Sequence, residues 1–302
     1  MAQSQRGPRR RKHREWIAFA AFVAPNLVVF AAFTFWPILY SFYLSLQRDT
    51  VPGGHSSFAG LQNYIALFHD GDFWMVLANT LFYALSVVLI AQTLAFLLAL
   101  LLNRAVPGRA VFRTIAFTPY VTTTVAAAMV WVLLLDPRLG PLSLLYHAFG
   151  IEGPHWLASP RLALWALILV GSWKEIAFAT VFFLAGLQGL PADVYEAALI
   201  EGASAPQRLR HLTLPLTSPV IFFLAITGFI AATKAFDIVA IMTQGGPVYP
   251  DSSMYVYHLY RLAFRQYRFG YASAFAVVFF VATLVLILVK FRIGRRYVHY
   301  EE

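Results

Sequence analysis

The sequence has 302 residues, of which 60% are hydrophobic and 12% charged, with a formal net charge of +9 and no cysteine. Soluble domains carry about 25% charged residues, so 23 basic and 14 acidic side chains are too few to cover a soluble fold of this length, and a disordered chain is excluded more firmly still. Without cysteine there are no disulfides, thiolate metal sites or cysteine nucleophiles.

A helix that crosses a bilayer needs about 20 mostly apolar residues. Six segments meet that length: 16–46, 73–102, 111–135, 162–187, 214–235 and 271–289. The expected fold class is all-α, a polytopic membrane protein of six transmembrane helices. The apolar stretch of the first segment exceeds the core of a cleavable signal peptide and reads as a retained span. Pro25 and Pro37 in the first span and Pro119 in the third are candidate kinks. Residues 1–15 form a basic, flexible arm suited to anionic lipid, 16–291 the membrane domain and 292–302 a tail.

Fifteen of the 23 lysines and arginines fall on one side of these spans. Arg6, Arg9, Arg10, Arg11, Lys12 and Arg14 precede the first. Arg104, Arg109 and Arg113 join the second to the third, and Arg208 and Arg210 the fourth to the fifth. Lys290, Arg292, Arg295 and Arg296 follow the sixth. The bias puts both termini in the cytoplasm. The excess positive charge is thus orientation signal, and no basic segment alternates with aromatics as a nucleic-acid surface would.

The outer loop 47–72 holds Pro52, Gly53 and Gly54, then Leu61-Gln62-Asn63-Tyr64. The outer loop 136–160 is rich in Pro and Gly. The longest, 237–270, breaks at Gly245-Gly246-Pro247 and then carries Tyr255, Val256, Tyr257, Leu259, Tyr260, Ala263 and Phe264 at helical spacing. That helix either lies at the outer interface or packs on neighbouring spans.

The inner loop 189–213 is the most informative. Pro191 opens a short helix from a first-turn position, with Asp193 near its positive end. Gly202 ends it, where a left-handed residue turns the chain. Val194, Ala197, Ala198 and Leu199 form one apolar face, and Glu196 and Glu201 do not share a face. A short helix-turn-helix projecting into the cytoplasm follows. Its bland reading is an amphipathic connector.

Glu196-Ala197-Ala198, then Gly202, then Leu214-Pro215 after a spacer, resembles the EAA motif of permease subunits of ATP-binding-cassette importers. Trp173-Lys174, Leu184-Ala185-Gly186-Leu187-Gln188 and Pro191 are similar to the approach to that motif in the carbohydrate branch. Thr243-Gln244-Gly245-Gly246-Pro247, Phe264 and Gly270-Tyr271-Ala272-Ser273-Ala274 resemble the segment before its last span. Phe35-Trp36-Pro37 and Ser45-Leu46-Gln47 fit its first. The resemblance covers nearly the whole chain. It departs at Glu201, where the family usually has Asp, and at Leu209, where an aromatic is common.

The resemblance implies the type I importer permease fold and a cytoplasmic coupling helix. Glu196, Ala197, Ala198, Glu201, Gly202, Ala203, Leu214 and Pro215 would serve docking on a separate ATPase. Glu196 would pair with a basic group there or brace the motif, and Gly202 would permit the bend. The implied partners are a second homologous permease, two ATPase subunits, an extracytoplasmic substrate-binding protein and the bilayer of a bacterial inner membrane. The chain has no Gly-x-x-x-x-Gly-Lys-[Ser/Thr] phosphate loop, so ATP and Mg would bind the partner ATPases and this chain would hold no cofactor.

Charges within spans are costly and mark functional hypotheses. Lys174 and Glu175 lie in the fourth span, about 100° apart on the helix. Lys234 and Asp237, three apart, would pair on one face. Trp173, Tyr120 and Gln244 offer stacking and hydrogen bonds to a sugar, against a competing role in ordinary bundle packing. The eight His show no metal-site spacing, and no nucleophile–base motif makes the chain an enzyme. The expected activity is translocation of a sugar or oligosaccharide by alternating access. Glycerol-3-phosphate or a glycerophosphodiester is the alternative substrate, because Arg296-Tyr297-Val298-His299-Tyr300 and Ser45-Leu46-Gln47 resemble permeases of that type. A second alternative is an ion-coupled secondary transporter, for which Glu175 would be the acidic group deep in a span.

Overall fold

The computed structural model describes residues 8–48, 57–103 and 108–297. Arg6, Pro52, Gly53, Gly54, Arg104, Val298, His299 and Tyr300 lie outside them. The described residues are mostly helical, with an antiparallel bridge between Gln47 and Phe58 as their β pairing. Helices satisfy their own backbone polar groups, which lipid cannot do for them. Among the described residues, five helices are long and apolar enough to cross a bilayer, and a bent pair makes a sixth if its halves form one span. The chain divides into two compact units, Met1–Leu67 with Leu262–Phe280, and Phe68–Arg261 with Val281–Glu302.

In the first unit, α1 (Pro8–Phe30) leads through a π turn (Ala31–Phe35) into α2 (Trp36–Ser45). The backbone is already helical from Pro8, so much of the stretch read as an arm continues the first span. Proline at a first-turn position suits that start. The π turn has a local cause. Pro37 lacks an N–H and its ring would strike the carbonyl of Phe33, four residues back. The Trp36 N–H bonds instead to the Ala31 carbonyl, five back, and the widened turn makes room for the ring. After α2, Asn63 of α3 (Gln62–His69) donates to the carbonyls of Ser45 and Gln47 at 2.8 Å each, and Ser45 and Tyr64 share a hydrogen bond of 2.7 Å. Two stretches that stand apart in the sequence, Ser45-Leu46-Gln47 and Leu61-Gln62-Asn63-Tyr64, thus act as one cap on the end of α2.

The second unit is built on α4 (Gly71–Asn103) and α8 (Pro160–Gln188). At about 1.5 Å per residue both outreach a hydrocarbon core of about 30 Å. Their buried stripes are rich in small residues. Ala84 packs in one core with Ala166 and Val170, and Ala95 and Ala99 in another with Ala179 and Phe183. Lipid gives no hydrophobic drive between helices, so close backbone approach and dispersion hold such a pair.

The third expected span is not continuous. α5 (Arg109–Val121) and α6 (Thr124–Leu134) meet at 102°. Pro119 removes one helical hydrogen bond, and Thr122 and Thr123 between the halves are extended, with ψ of 139° and 146°. Thr123 then caps α6, its Oγ1 accepting from the Ala126 N–H at 3.3 Å. Beyond α6, Asp136 accepts from the N–H groups of Arg138 and Leu139, and these bonds hold its carboxyl below the usual carboxylate range. α7 (Pro141–Ala148) follows.

The loop after α8, read from the sequence as inner, holds α9 (Ala192–Ile200) and α10 (Ala205–Arg208). A π turn (Leu209–Thr213) then leads into α11 (Leu214–Thr233). The fifth span therefore starts at Ala205 rather than at 214. Pro215 is accommodated as Pro37 is, with the Leu214 N–H bonded to the Leu209 carbonyl, five back.

The segment after α11 is mostly helical: α12 (Asp237–Met242), α13 (Tyr255–Tyr260), a π turn (Arg261–Arg265) and α14 (Phe269–Tyr297). Of the two readings of residues 255–264, packing holds for α13. Tyr255 is 2% exposed, sits edge-on to Phe73 of α4, and its N–H donates to Thr80 Oγ1 at 2.9 Å. Asn79, one residue earlier on α4, donates to the carbonyls of Asp251 at 3.0 Å and Ser253 at 3.2 Å. The Tyr249 hydroxyl is hydrogen-bonded to His258, and the Arg261 guanidinium lies 3.7 Å above the Tyr249 ring. Burial pushes the Tyr249 hydroxyl up to about 12. Asn79→Leu removes the donor and strands those carbonyls. It is expected to cost about 1–3 kcal/mol and to speed amide exchange across residues 250–255, measured by thermal unfolding and hydrogen–deuterium exchange. Unchanged exchange there would show that Asn79 does not pin the loop.

Candidate functional site

Two constellations stand out, one on the loop between α8 and α11 and one between the spans. On that loop, Pro191 is the N-cap of α9, with ψ of 125°, one place before the first-turn position expected for it. α9 ends in a Schellman turn: the Gly202 N–H bonds to the Leu199 carbonyl at 3.1 Å, and the Ala203 N–H to the Ala198 carbonyl at 2.9 Å. Gly202 holds the required left-handed conformation, φ +79°. Ser204 and Gln207 form a capping box that starts α10 immediately. The turn between the two helices is therefore only a few residues long and fully hydrogen-bonded.

Side chains brace it. Arg208 donates to the Ala203 carbonyl at 2.6 Å, and the Tyr195 hydroxyl donates to Thr213 Oγ1 at 2.9 Å. The second bond ties the middle of α9 to the buried base of the fifth span. No side chain of α9 is buried. Ala192, Tyr195, Glu196 and Leu199 line a groove of about 470 Å³ with Asn103 of α4. Leu199 therefore leaves the apolar face expected for it. At about 100° per residue, Val194, Ala197 and Glu201 lie on the side away from that groove. Ile200 is 88% exposed. Ala203 follows Gly202 in the turn, while Leu214 and Pro215 sit inside the fifth span just past its π turn.

Between the spans, Lys174 and Glu175 of α8 line a cavity of about 260 Å³ with Tyr83 of α4, Lys234 at the end of α11 and Asp237 at the start of α12. Lys234 and Asp237 belong to two helices rather than one helical face, because the chain leaves helical geometry at Phe236. Space for the polar groups comes from glycines. A β-carbon at Gly171 would lie 2.2 Å from the Tyr83 hydroxyl, and one at Gly228 would lie 3.0 Å from Glu175 Oε1. Lys174 Nζ reaches out of the cavity wall to the carbonyls of Thr122 at 2.5 Å and Pro119 at 3.3 Å.

The other candidates fall elsewhere. Trp173 packs edge-on against Trp131 of α6 at 5.8 Å, and Tyr120 leans on Phe178 at 5.3 Å. Gln244 is exposed in the turn after α12, at φ 51°. Of the five path residues read from the sequence, Lys174 and Glu175 are brought together at the cavity. Tyr83 was missed. Its signal was the one phenol in a mostly apolar span, which becomes meaningful only once Gly171 is seen to face it.

The family described as the binding-protein-dependent transport system inner membrane component matches residues 91–298. The chain is 33% identical over 287 residues to the trehalose/maltose transport system permease protein MalF of Thermococcus litoralis, covering 94% of this chain and 96% of that one. It is 32% identical over 279 residues to the sn-glycerol-3-phosphate transport system permease protein UgpA of Agrobacterium fabrum, covering 92% and 94%. Among solved structures, a chain of the bacterial alginate ABC transporter, in complex with its alginate pentasaccharide-bound periplasmic protein, shares the fold. The TM-score is 0.84 at 23% identity, with 95% of this chain and 96% of that chain covered.

Proposed function

The chain belongs to the family of inner membrane components of binding-protein-dependent transport systems, and from that premise we propose that it is one permease subunit of an ATP-driven importer for a sugar or oligosaccharide. A second homologous permease completes the pathway, two ATPase subunits dock on the cytoplasmic side, and a substrate-binding protein delivers from outside. ATP and Mg bind the ATPases, so this chain transmits their motion and contributes no catalytic group. Both termini and α9 face the cytoplasm, a reading supported by the side on which fifteen of 23 basic residues fall.

The observation that carries this reading is α9 itself. A nine-residue helix with no buried side chain stands between two spans, is closed by a hydrogen-bonded turn and is tied to the fifth span through Tyr195 and Thr213. A connector needs no such bracing, whereas a lever pressed by a partner does. Alternating access then follows from rigid-body rocking of the spans as the ATPases close. Reconstitution with partner ATPases, a second permease and a binding protein tests it. Uptake of labelled sugar should require ATP and resist a protonophore. Uptake abolished by protonophore at constant ATP would sink it in favour of ion coupling. Glu196→Lys should reduce uptake about tenfold or more, the effect of reversing one well-placed charge at an interface, with membrane insertion unchanged. Normal transport by that variant would count against a coupling role for α9.

Charge balance bears on the substrate. The cavity sets Lys174 and Lys234 against Glu175 and Asp237, and Lys174 is engaged with backbone carbonyls. A phosphate ester calls for cations in excess of carboxylates, whereas sugar hydroxyls are served by acceptors and donors together. The cavity therefore supports a neutral polyol over glycerol-3-phosphate. Glycerol-3-phosphate competing effectively for uptake would reverse that choice.

A further inference from the structure

The break between α5 and α6 leaves carbonyls at the end of α5 without the N–H groups that a continuous helix would bring to them. At membrane depth such groups must be satisfied within the protein. One local bond serves part of that need, and a second caps the start of α6 instead. Thr122 Oγ1 donates to the Pro119 carbonyl at 2.8 Å, and Thr123 Oγ1 accepts from the first turn of α6. The Thr122 carbonyl, at the corner itself, is met from another span by Lys174 Nζ at 2.5 Å, and the same amine reaches the Pro119 carbonyl at 3.3 Å. Lysine side chains close helix C-termini in this way.

We propose that Lys174 is a positioning residue that clasps the break in the third span, holding α5 and α6 at their bend from the fourth span. The arrangement does more than satisfy a carbonyl. Glu175, the next residue, presents its carboxylate to the cavity where Gly228 leaves room. One turn of α8 therefore forms the cavity wall and fixes the corner of the third span. A shift of that turn on substrate occupancy is transmitted to the bend through the Lys174 amine. A substrate-binding role for Lys174 makes a different demand, because the amine would have to leave both carbonyls. The inference rests on the importer reading for its transport consequence, but the clasp itself does not.

The cysteine-free chain allows a direct test. Cysteines at Ile115 of α5 and Leu133 of α6, both well exposed, carry spin labels in the assembled transporter in lipid nanodiscs. The parent and Lys174→Arg should give one label distance, since Arg keeps the donors. Lys174→Met should give a broadened or second distance. Its maximal uptake rate should fall about tenfold, the effect expected when a hydrogen bond to a charged group is lost, with KM within about twofold of the parent. An unchanged distance in Lys174→Met overturns the clasp. So does a raised KM with unchanged rate and distance, which would assign the amine to substrate. If Lys174→Met does not assemble, Lys174→Gln, too short to reach the corner, is read in the same way, and an unchanged distance again overturns the proposal. Because the label distance needs no transported substrate, failure of the clasp and failure of the importer reading are told apart.

Discussion

Valine in place of Gly202 is expected to reduce ATP-driven uptake by the assembled transporter about tenfold or more, while insertion and the abundance of the chain stay near normal. Gly202 sits at φ +79°, and a β-branched residue there is a severe outlier. The strain of about 1–2 kcal/mol is enough to shift the turn between α9 and α10 toward other geometries. The cost is local, because a β-carbon at this position meets no atom of the chain within 4 Å. What changes is the angle at which α9 leaves the fifth span. The Schellman bonds through Gly202 and Ala203 hold that angle, and the capping box at Ser204 follows within two residues, so no slack absorbs the error. A series separates backbone from side chain. Asn and Asp tolerate the left-handed region, so Gly202→Asn and Gly202→Asp should retain more activity than Gly202→Val if strain alone decides. Equal loss in all three would instead mean that a side chain collides with a docked partner. Uptake by Gly202→Val at the parent rate would remove the turn from the mechanism.

That turn was largely legible in the sequence, and the reasons are local. A proline, an acidic first turn and a glycine nine residues later act within one helix, so spacing alone identifies them. The start of the fifth helix was equally local but was hidden by its prolines. Ser204 and Gln207 spell a capping box, yet Pro206 and Pro215 look like breakers. Pro206 is allowed in a first turn, and a π turn absorbs Pro215. The break in the third span was legible only as a candidate kink at Pro119. Residues 111–135 are mostly apolar, and hydropathy reports composition without direction. The bend depends on two extended threonines and on a lysine that follows them 52 residues on. Tyr83 was invisible for the same reason, because its neighbour Gly171 comes from another helix. Lys174 and Glu175 could be found because a charge in a span stands out wherever it points. What each touches had to come from the packing of α4, α8 and α11.

The packing at Gly171 sets up the second large effect. Gly171→Ala places a β-carbon 2.2 Å from the Tyr83 hydroxyl and 2.9 Å from the ring carbon that carries it. A tyrosine ring has little freedom to yield between α4 and α8, so the clash is relieved by moving the ring or the helices. Overpacking of this kind costs about 1–3 kcal/mol, visible as a drop of several degrees in the thermal unfolding midpoint. Gly228→Ala offers a contrast. Its β-carbon would lie 3.0 Å from Glu175 Oε1, the end of a flexible side chain, so rotation relieves it at smaller cost. The expected order of stability is parent, then Gly228→Ala, then Gly171→Ala. Tyr83→Phe removes the atom at 2.2 Å and leaves the one at 2.9 Å, so the double variant Gly171→Ala with Tyr83→Phe should recover part of the loss. Transport should follow a different order. A displaced Tyr83 and a rotated Glu175 both encroach on the cavity, so both single alanine variants should raise KM for the imported sugar, including the one that is barely destabilised. If Gly228→Ala proves stable and transports with unaltered KM, the cavity is not on the substrate's path. If Tyr83→Phe restores nothing to Gly171→Ala, the close approach of α4 and α8 at Tyr83 is not what the glycine preserves.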